Sequence, residues 1–250
     1  MKFKDKLSKS DKKLLLEVCV IPSSVATQAI ASSGVDAIVI DQEHGAISTD
    51  TLHSMIASTA GTDCAPIVRV AEKRAEYVKI ALDMGAEGIM FPLIHNAQEA
   101  KECVSMINYP LNGQRGWGPF IAHSRWNVEL MEYRQLYEKK IVCIILIETK
   151  EAVEDIVNIC HVEGIDAIFV AKFDLSTSLG ISGDFENDIF KAAIKTIEEV
   201  ARKKNIPLGG GPLNTRTDCD ELSKRGYRLF ANFDVLRLKH SIKQHIAWLR

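Results

Sequence analysis

Short apolar runs rich in β-branched residues recur along the chain, each followed by a turn and an amphipathic stretch. The runs cover residues 14–21, 35–41, 65–70, 87–94, 141–148, 166–171, 206–210 and 227–232. Most are apolar at consecutive positions, the pattern of parallel strands covered by helices on both sides. The stretches between them carry helical periodicity. KRAEYVKIALDMGA (73–86) predicts a helix with Tyr77, Ile80, Ala81 and Met84 on its inner stripe. FENDIFKAAIKTIEEVARKKN (185–205) predicts another with Ile189, Ala192, Ile197 and Val200 inward. Gly34, Gly85 and Gly164 stand just before strands, where helices end. Eight strand–helix units fill residues 1–250 as a single-domain α/β fold, the (β/α)₈ TIM barrel. A doubly wound open sheet fits less well. No GxGxxG follows the first strand, and a helix, SIKQHIAWL, follows the eighth. The one long insertion, 109–140, lies between strands four and five. It holds a Gly/Pro-rich loop and then an extra helix.

Composition narrows the function without changing the fold. Hydrophobic residues make up 46% of the 250 residues, and 31 Lys+Arg face 33 Asp+Glu for a net charge of −2. Disorder is excluded on that composition. The strongly basic face of a nucleic-acid binder is absent. The basic start, MKFKDKLSKSDKK, lacks the apolar stretch of a signal peptide, so a cytoplasmic protein is expected. Apolar runs such as IVCIILI fall far short of the roughly 20 residues of a membrane helix. The six cysteines form no CxxC pair and read as buried thiols.

In an eightfold barrel, chemistry sits where strands end and the following loops begin. Strand two ends in Asp41, followed by Gln42, Glu43 and His44; strand three carries Arg69; strand five ends in Glu148. Strand six leads into Lys172, Phe173 and Asp174, and strand seven ends in Gly209, Gly210 and Gly211. Glu148 and Asp174 come from neighbouring strands, about 4.8 Å apart, and suit a hard divalent cation such as Mg²⁺. They equally suit a pair neutralised by Arg or Lys. Asp41 is near enough in sequence to hold the His44 imidazole as an acid/base. The alternative is a surface histidine beside a helix-capping aspartate. Arg69, within a strand, needs an anion. It pairs with Glu148 or Asp174, or it waits for a substrate carboxylate or enolate. The other histidines fit helix surfaces.

Several segments together resemble the HpcH/HpaI aldolase family, in order, over roughly residues 14–240. They are VDAIVIDQEHGAISTDTL, PIVRV with VKIALDMGAEGIMFPLIHNAQEAKECV, YPLNGQRGWGP, and IILIETKEAVEDIVNICHVEGIDAIFVAKFDLSTSLG. The resemblance implies a hexameric barrel that makes or breaks carbon–carbon bonds beside a 2-oxo acid, pyruvate or oxaloacetate. The reaction needs a divalent metal, Mg²⁺ first, with Mn²⁺ or Co²⁺ also admitted. It implies Glu148 and Asp174 as metal ligands and Arg69 as the group that stabilises the enolate. It also implies His44 as acid/base oriented by Asp41, and Asp83 as a residue that approaches a neighbouring subunit's site.

The chain departs from the family pattern at two places. Leu146 stands where a Gln is usual, and Ala171, Lys172 and Phe173 replace Gly-Pro-Ala. Metal and acid/base positions are kept while substrate-holding positions (Leu146, Lys172, Phe173, with Gly210 nearby) differ. That implies a changed substrate or reaction. Lys172 either holds the substrate carboxylate by charge or points to solvent, and Phe173 narrows the pocket. The leading alternative is a synthase of the same family that condenses oxaloacetate with acetyl-CoA to citrate for staphyloferrin-type siderophores. The second is a barrel that binds a 2-oxo acid without turnover.

Overall fold

The computed structural model describes residues 2–9 and 12–250. Eight parallel strands close in chain order. They are β1 (Leu14–Cys19), β2 (Ala37–Asp41), β3 (Ala65–Arg69), β4 (Gly88–Phe91), β5 (Val142–Ile147), β6 (Ala167–Val170), β7 (Leu208–Gly210) and β8 (Leu229–Phe233). Every strand predicted from the apolar runs is present, trimmed by a few residues, and closure of β1 on β8 rules out the open sheet.

Alternation along the strands makes two apolar shells. Leu14, Leu16, Val18, Ala37, Val39, Ala65, Ile67, Val142, Ile144, Leu146 and Phe169 fill the barrel interior. Ile38, Ile40, Val68, Ile89, Ile145 and Ile168 face the surrounding helices. The same inward parity, continued upward, carries Asp41, Arg69 and Glu148 to the top of the barrel. They are two residues beyond Val39, Ile67 and Leu146 respectively.

The bottom is closed by an element the sequence reading left unassigned. In the helix Phe3–Ser8, Phe3 and Leu7 are buried in the interior shell, and the Phe3 N–H donates to Glu87 Oε1. Lys4 and Lys6 of this helix lie on the polar side of the plug and pair with Asp166 and Asp36.

Two helical stripes are rotated from prediction. In Ala75–Asp83 the buried residues are Val78, Ala81 and Leu82, while Tyr77, Ile80 and Met84 are only partly covered. In Asp188–Lys204 they are Phe190, Ala193, Ile194, Ile197 and Ala201; Ile189 and Ala192 are exposed. The insertion 109–140 contains two short helices, Ala122–Arg125 and Tyr133–Tyr137, and a 3₁₀ turn rather than one helix. Gly34 and Gly85 adopt φ of +96° and +100°, the left-handed helix ends expected of them. All six cysteines are free. Among the described residues no helix is long and apolar enough to cross a membrane.

Candidate active site

Register decides the first contact. Asp41 and Arg69 are lateral partners in the β2–β3 ladder, both pointing inward. Arg69 Nε and Nη2 donate to Asp41 Oδ1 and Oδ2 at 2.9 and 2.5 Å. Both are buried, so the pair is charge-neutral and held in a fork geometry. Arg69 therefore pairs with Asp41, not with Glu148 or Asp174. This also corrects the role expected of Asp41. Its Oδ1 accepts the backbone N–H groups of Glu43 and His44 at 3.0 and 3.2 Å, so it folds the loop and does not hold the imidazole.

The imidazole has another neighbour. His44 Nε2 lies 3.7 Å from Glu43 Oε2, which is itself 3.2 Å from Arg69 Nη1. That oxygen is buried and makes no hydrogen bond of good geometry among the described residues. Burial pushes the Glu43 carboxyl up to about 6, with Arg69 opposing and Asp41 and Asp174 adding to the shift. Glu43 stands in the sequence motif but was not singled out there; its neighbours Asp41 and His44 absorbed the argument. Most of the His44 side chain is exposed.

Glu148 follows β5 and is buried. Its Oε1 accepts the Leu93 N–H at 2.5 Å. Leu93 adopts a left-handed φ of +53°, unusual for a branched residue, and Lys73 Nζ holds its carbonyl from the other side. Burial raises the Glu148 carboxyl to about 7; the Leu93 N–H lowers it, and the charges of Glu43 and Asp174 raise it further. Asp174 lies exposed in the first turn of the helix Lys172–Ser178, beyond β6.

Of these groups Arg69 and Asp174 line a cavity of about 70 Å³ at the barrel mouth, together with Leu146, Phe169, Lys172 and Phe173 among others. Leu146 presents only carbon to it. Phe173 borders it, half exposed, with its ring 5.4 Å from that of Phe185. Gly210 does not reach this cavity; Gly211 and Pro212 do, and Gly210 borders the adjoining one. Lys172 neither points to free solvent nor sits on a carboxylate. Its ammonium lies over the rings of Phe185 and Phe173 at 5.0 and 5.4 Å. Asp83 is away from the mouth, where its Oδ1 accepts from Arg115 Nη2 at 2.7 Å.

The mouth thus carries one neutral Arg69–Asp41 pair and three further carboxylates, Glu43, Glu148 and Asp174; the charge of Asp174 raises the proton affinity of both glutamates, and that of Glu43 raises Glu148's. This excess of negative charge in a half-buried site suits a cation. Among the described residues no three His, Cys, Asp or Glu side chains group as a ready-made metal site. Glu148 and Asp174 would supply two hard oxygens, leaving other positions for substrate and water, as a divalent cation of the Mg²⁺ type permits.

Residues 21–232 match the family described as HpcH/HpaI aldolase/citrate lyase. The chain is 32% identical over 232 residues to a 4-hydroxy-2-oxo-heptane-1,7-dioate aldolase of Salmonella typhimurium, covering 86% of this chain and 88% of that one. Among solved structures, an HpcH/HpaI family protein from Burkholderia cenocepacia superposes with a TM-score of 0.91 at 25% identity, covering 100% and 99% of the two chains. The citrate synthase SbnG gives 0.86 at 28%, covering 98% and 95%. Macrophomate synthase gives 0.86 at 25%, covering 99% and 87%.

Proposed function

Because the chain belongs to the HpcH/HpaI aldolase/citrate lyase family, we propose that it is a metal-dependent carbon–carbon lyase or synthase that works through the enolate of a small 2-oxo acid, pyruvate or oxaloacetate. The observation that carries this reading is the mouth itself: Arg69, forked onto Asp41 and 3.2 Å from Glu43, lines a cavity of about 70 Å³ with Asp174, while the carboxyls of Glu43 and Glu148 are raised to about 6 and about 7. A divalent cation on Glu148 and Asp174, Mg²⁺ first, with Mn²⁺ or Co²⁺ also suitable, would act as a Lewis acid on the 2-oxo carbonyl.

The chain's own groups divide the rest of the work. The Arg69 guanidinium has five N–H donors, and the Asp41 fork occupies two of them. Donors left over are available to the oxygen on which enolate charge develops, and the fork fixes their direction before reaction. His44 takes or gives the proton on the second reactant's oxygen, and Glu43, within 3.7 Å, orients the ring and stabilises its charged form. Leu146 and Phe173 exclude water from one wall. Asp83 joins such a site only if a second copy of the chain brings it there. We extend the proposal to a homo-oligomer working in a reducing, cytoplasmic compartment, in keeping with six free thiols.

Condensation of oxaloacetate with acetyl-CoA to citrate is the second reading, supported by likeness to the citrate synthase SbnG. One experiment separates the two. The pure protein is incubated with Mg²⁺ or Mn²⁺ and either pyruvate plus aldehydes or oxaloacetate plus acetyl-CoA. Aldol adducts without thiol release support the first reading; citrate with thiol release supports the second. Absence of EDTA-sensitive turnover in both sets rejects catalysis and leaves a 2-oxo acid-binding barrel.

A further inference from the structure

Glu148 has one hydrogen-bond partner among the described residues, the Leu93 N–H, which meets its Oε1 at 2.5 Å. Leu93 stands two residues beyond the end of β4 and holds a left-handed φ of +53°. A branched residue keeps that conformation only where its surroundings impose it. In the right-handed region the same N–H points elsewhere. The direction of the Glu148 carboxylate therefore depends on whatever holds Leu93.

Three contacts grip this turn. Lys73, in the loop between β3 and the helix Ala75–Asp83, donates from Nζ to the Leu93 carbonyl at 2.5 Å. The same ammonium lies 2.5 Å from Glu99 Oε2, and that oxygen also accepts the His95 N–H at 3.0 Å. Thr149 Oγ1, next to Glu148 in the chain, donates to the Ile94 carbonyl at 2.9 Å. Glu99 and Thr149 thus hold the residues that follow, and Lys73 holds Leu93 itself. It does so with a charged donor, about twice as strong as a neutral one. The Lys73 side chain is mostly covered, so water competes little for its ammonium. One residue separates the two charges: ammonium on the Leu93 carbonyl, Leu93 N–H on the carboxylate. A carboxylate held in one direction loses less freedom when it takes a cation, so the groups behind a ligand tune the affinity for the metal.

We propose that Lys73 is a positioning residue of this site: through Leu93 it fixes the direction of the Glu148 carboxylate and so sets how tightly a divalent cation is held. The inference rests on the reading of Glu148 as a metal ligand and names what regulates that ligand's grip.

The test measures Mn²⁺ binding to the pure protein without substrate, by loss of the free Mn²⁺ signal in electron paramagnetic resonance. It compares the wild type with Lys73→Met, Lys73→Arg and Glu148→Gln. Lys73→Met is expected to weaken binding about 10–100-fold, the scale of a lost group behind a ligand, and Lys73→Arg to restore most of it. Binding by Lys73→Met equal to the wild type, or a loss that Lys73→Arg does not repair, overturns the inference. Glu148→Gln reports separately on the underlying reading, because undiminished binding there removes Glu148 as a ligand. Amide hydrogen exchange over residues 93–96 in the metal-free protein then still decides the link to the carboxylate. Faster exchange in both Lys73→Met and Glu148→Gln, with Lys73→Arg near the wild type, supports it, and unchanged exchange in Lys73→Met overturns it.

Discussion

Asp41 and Glu43 are two residues apart, yet the fold gives them opposite tasks. Asp41 ends a strand with inward parity and meets its lateral partner Arg69, so its charge is spent. Glu43 lies in the loop above, where burial outweighs the attraction of Arg69 and raises its carboxyl to about 6. The sequence showed that an acid and a histidine belong here but not which acid serves the ring. Side-chain direction at a strand end follows from register, which a motif does not encode. Glu43→Gln is expected to lower kcat about 10–100-fold, within or below the usual range for an acid/base contribution, with a smaller change in KM for the 2-oxo acid. The limb of the kcat–pH profile near 6 should vanish with it; a retained limb would return the role to Asp41. A second expectation concerns the metal-free protein. Glu43 and Glu148, at about 6 and about 7, have folded values above that of an ordinary glutamate, so between those limits the folded state binds more protons than the unfolded. Their contribution to stability is present at low pH and is lost as pH rises through about 6 to 7. The melting temperature without metal should therefore fall from pH 5 to pH 8, more steeply than in Glu148→Gln, whose amide is neutral throughout. Added Mg²⁺ should raise it more at pH 8 than at pH 5, and not in Glu148→Gln. Equal metal shifts at both pH values would argue against Glu148 as a ligand.

Elements were easier to read than their rotation. The strands announced themselves because both faces are buried, so nearly every position in a run is apolar, Glu17, Asp41 and Arg69 being exceptions. Helices bury one stripe only, and a broad stripe admits two phases. In Asp188–Lys204 apolar residues stand at 189, 190, 192, 193, 194, 197, 200 and 201, and either choice of centre fits the period. Packing in the fold buries Phe190, Ala193, Ile194 and Ile197, and leaves Ile189 at the exposed first turn. The 109–140 excursion was visible as an insertion, but its anchoring was not, because the two partners lie 32 residues apart. Arg115, with a fully buried side chain, donates to Asp83 at the end of Ala75–Asp83 and stacks on Tyr109 with 4.6 Å from guanidinium to ring centre. Arg115→Ala is expected to cost about 2–4 kcal/mol in urea unfolding, somewhat under the figure for a wholly buried pair because Asp83 keeps some solvent contact. Arg74→Ala, which removes an exposed pair with Glu76, should cost under about 1 kcal/mol in the same assay. Similar costs for both would mean that the buried pair does not tie the excursion to the barrel.

At the scale of the whole molecule the last helix is left largely without cover. The final helix, Asp234–Leu249, touches the barrel chiefly at its start, where Asp234 accepts the Val20 and Ile21 N–H groups and Arg237 forks onto buried Glu17 of β1. Beyond that it carries Leu238, Ile242, Ile246 and Leu249 along one face, all exposed; Ile242 is 50% exposed and Leu249 87%. Helical geometry puts these four, with Val235, on one stripe. A groove of about 480 Å³ stays open on the outer wall of β1 and β8, with Leu15, Leu213, Cys219 and Phe230 among its lining. An apolar stripe and a partly apolar groove on one chain, neither filling the other, suit exchange between copies, and this supports the proposed homo-oligomer. The helix's place after strand eight was legible in the sequence but its direction was not, because its apolar stripe packs on nothing in the chain that would orient it. Ile242→Glu with Leu238→Glu should shift the protein toward monomer in sedimentation velocity while far-UV circular dichroism stays barrel-like. Removal of either hydrophobe buries less area and adds an unpaired charge at a contact, so the assembly should weaken by several kcal/mol, roughly 1.5–3 per lost side chain. A doubly substituted protein that sediments as the wild type does would show that the stripe faces solvent in solution and that copies meet elsewhere.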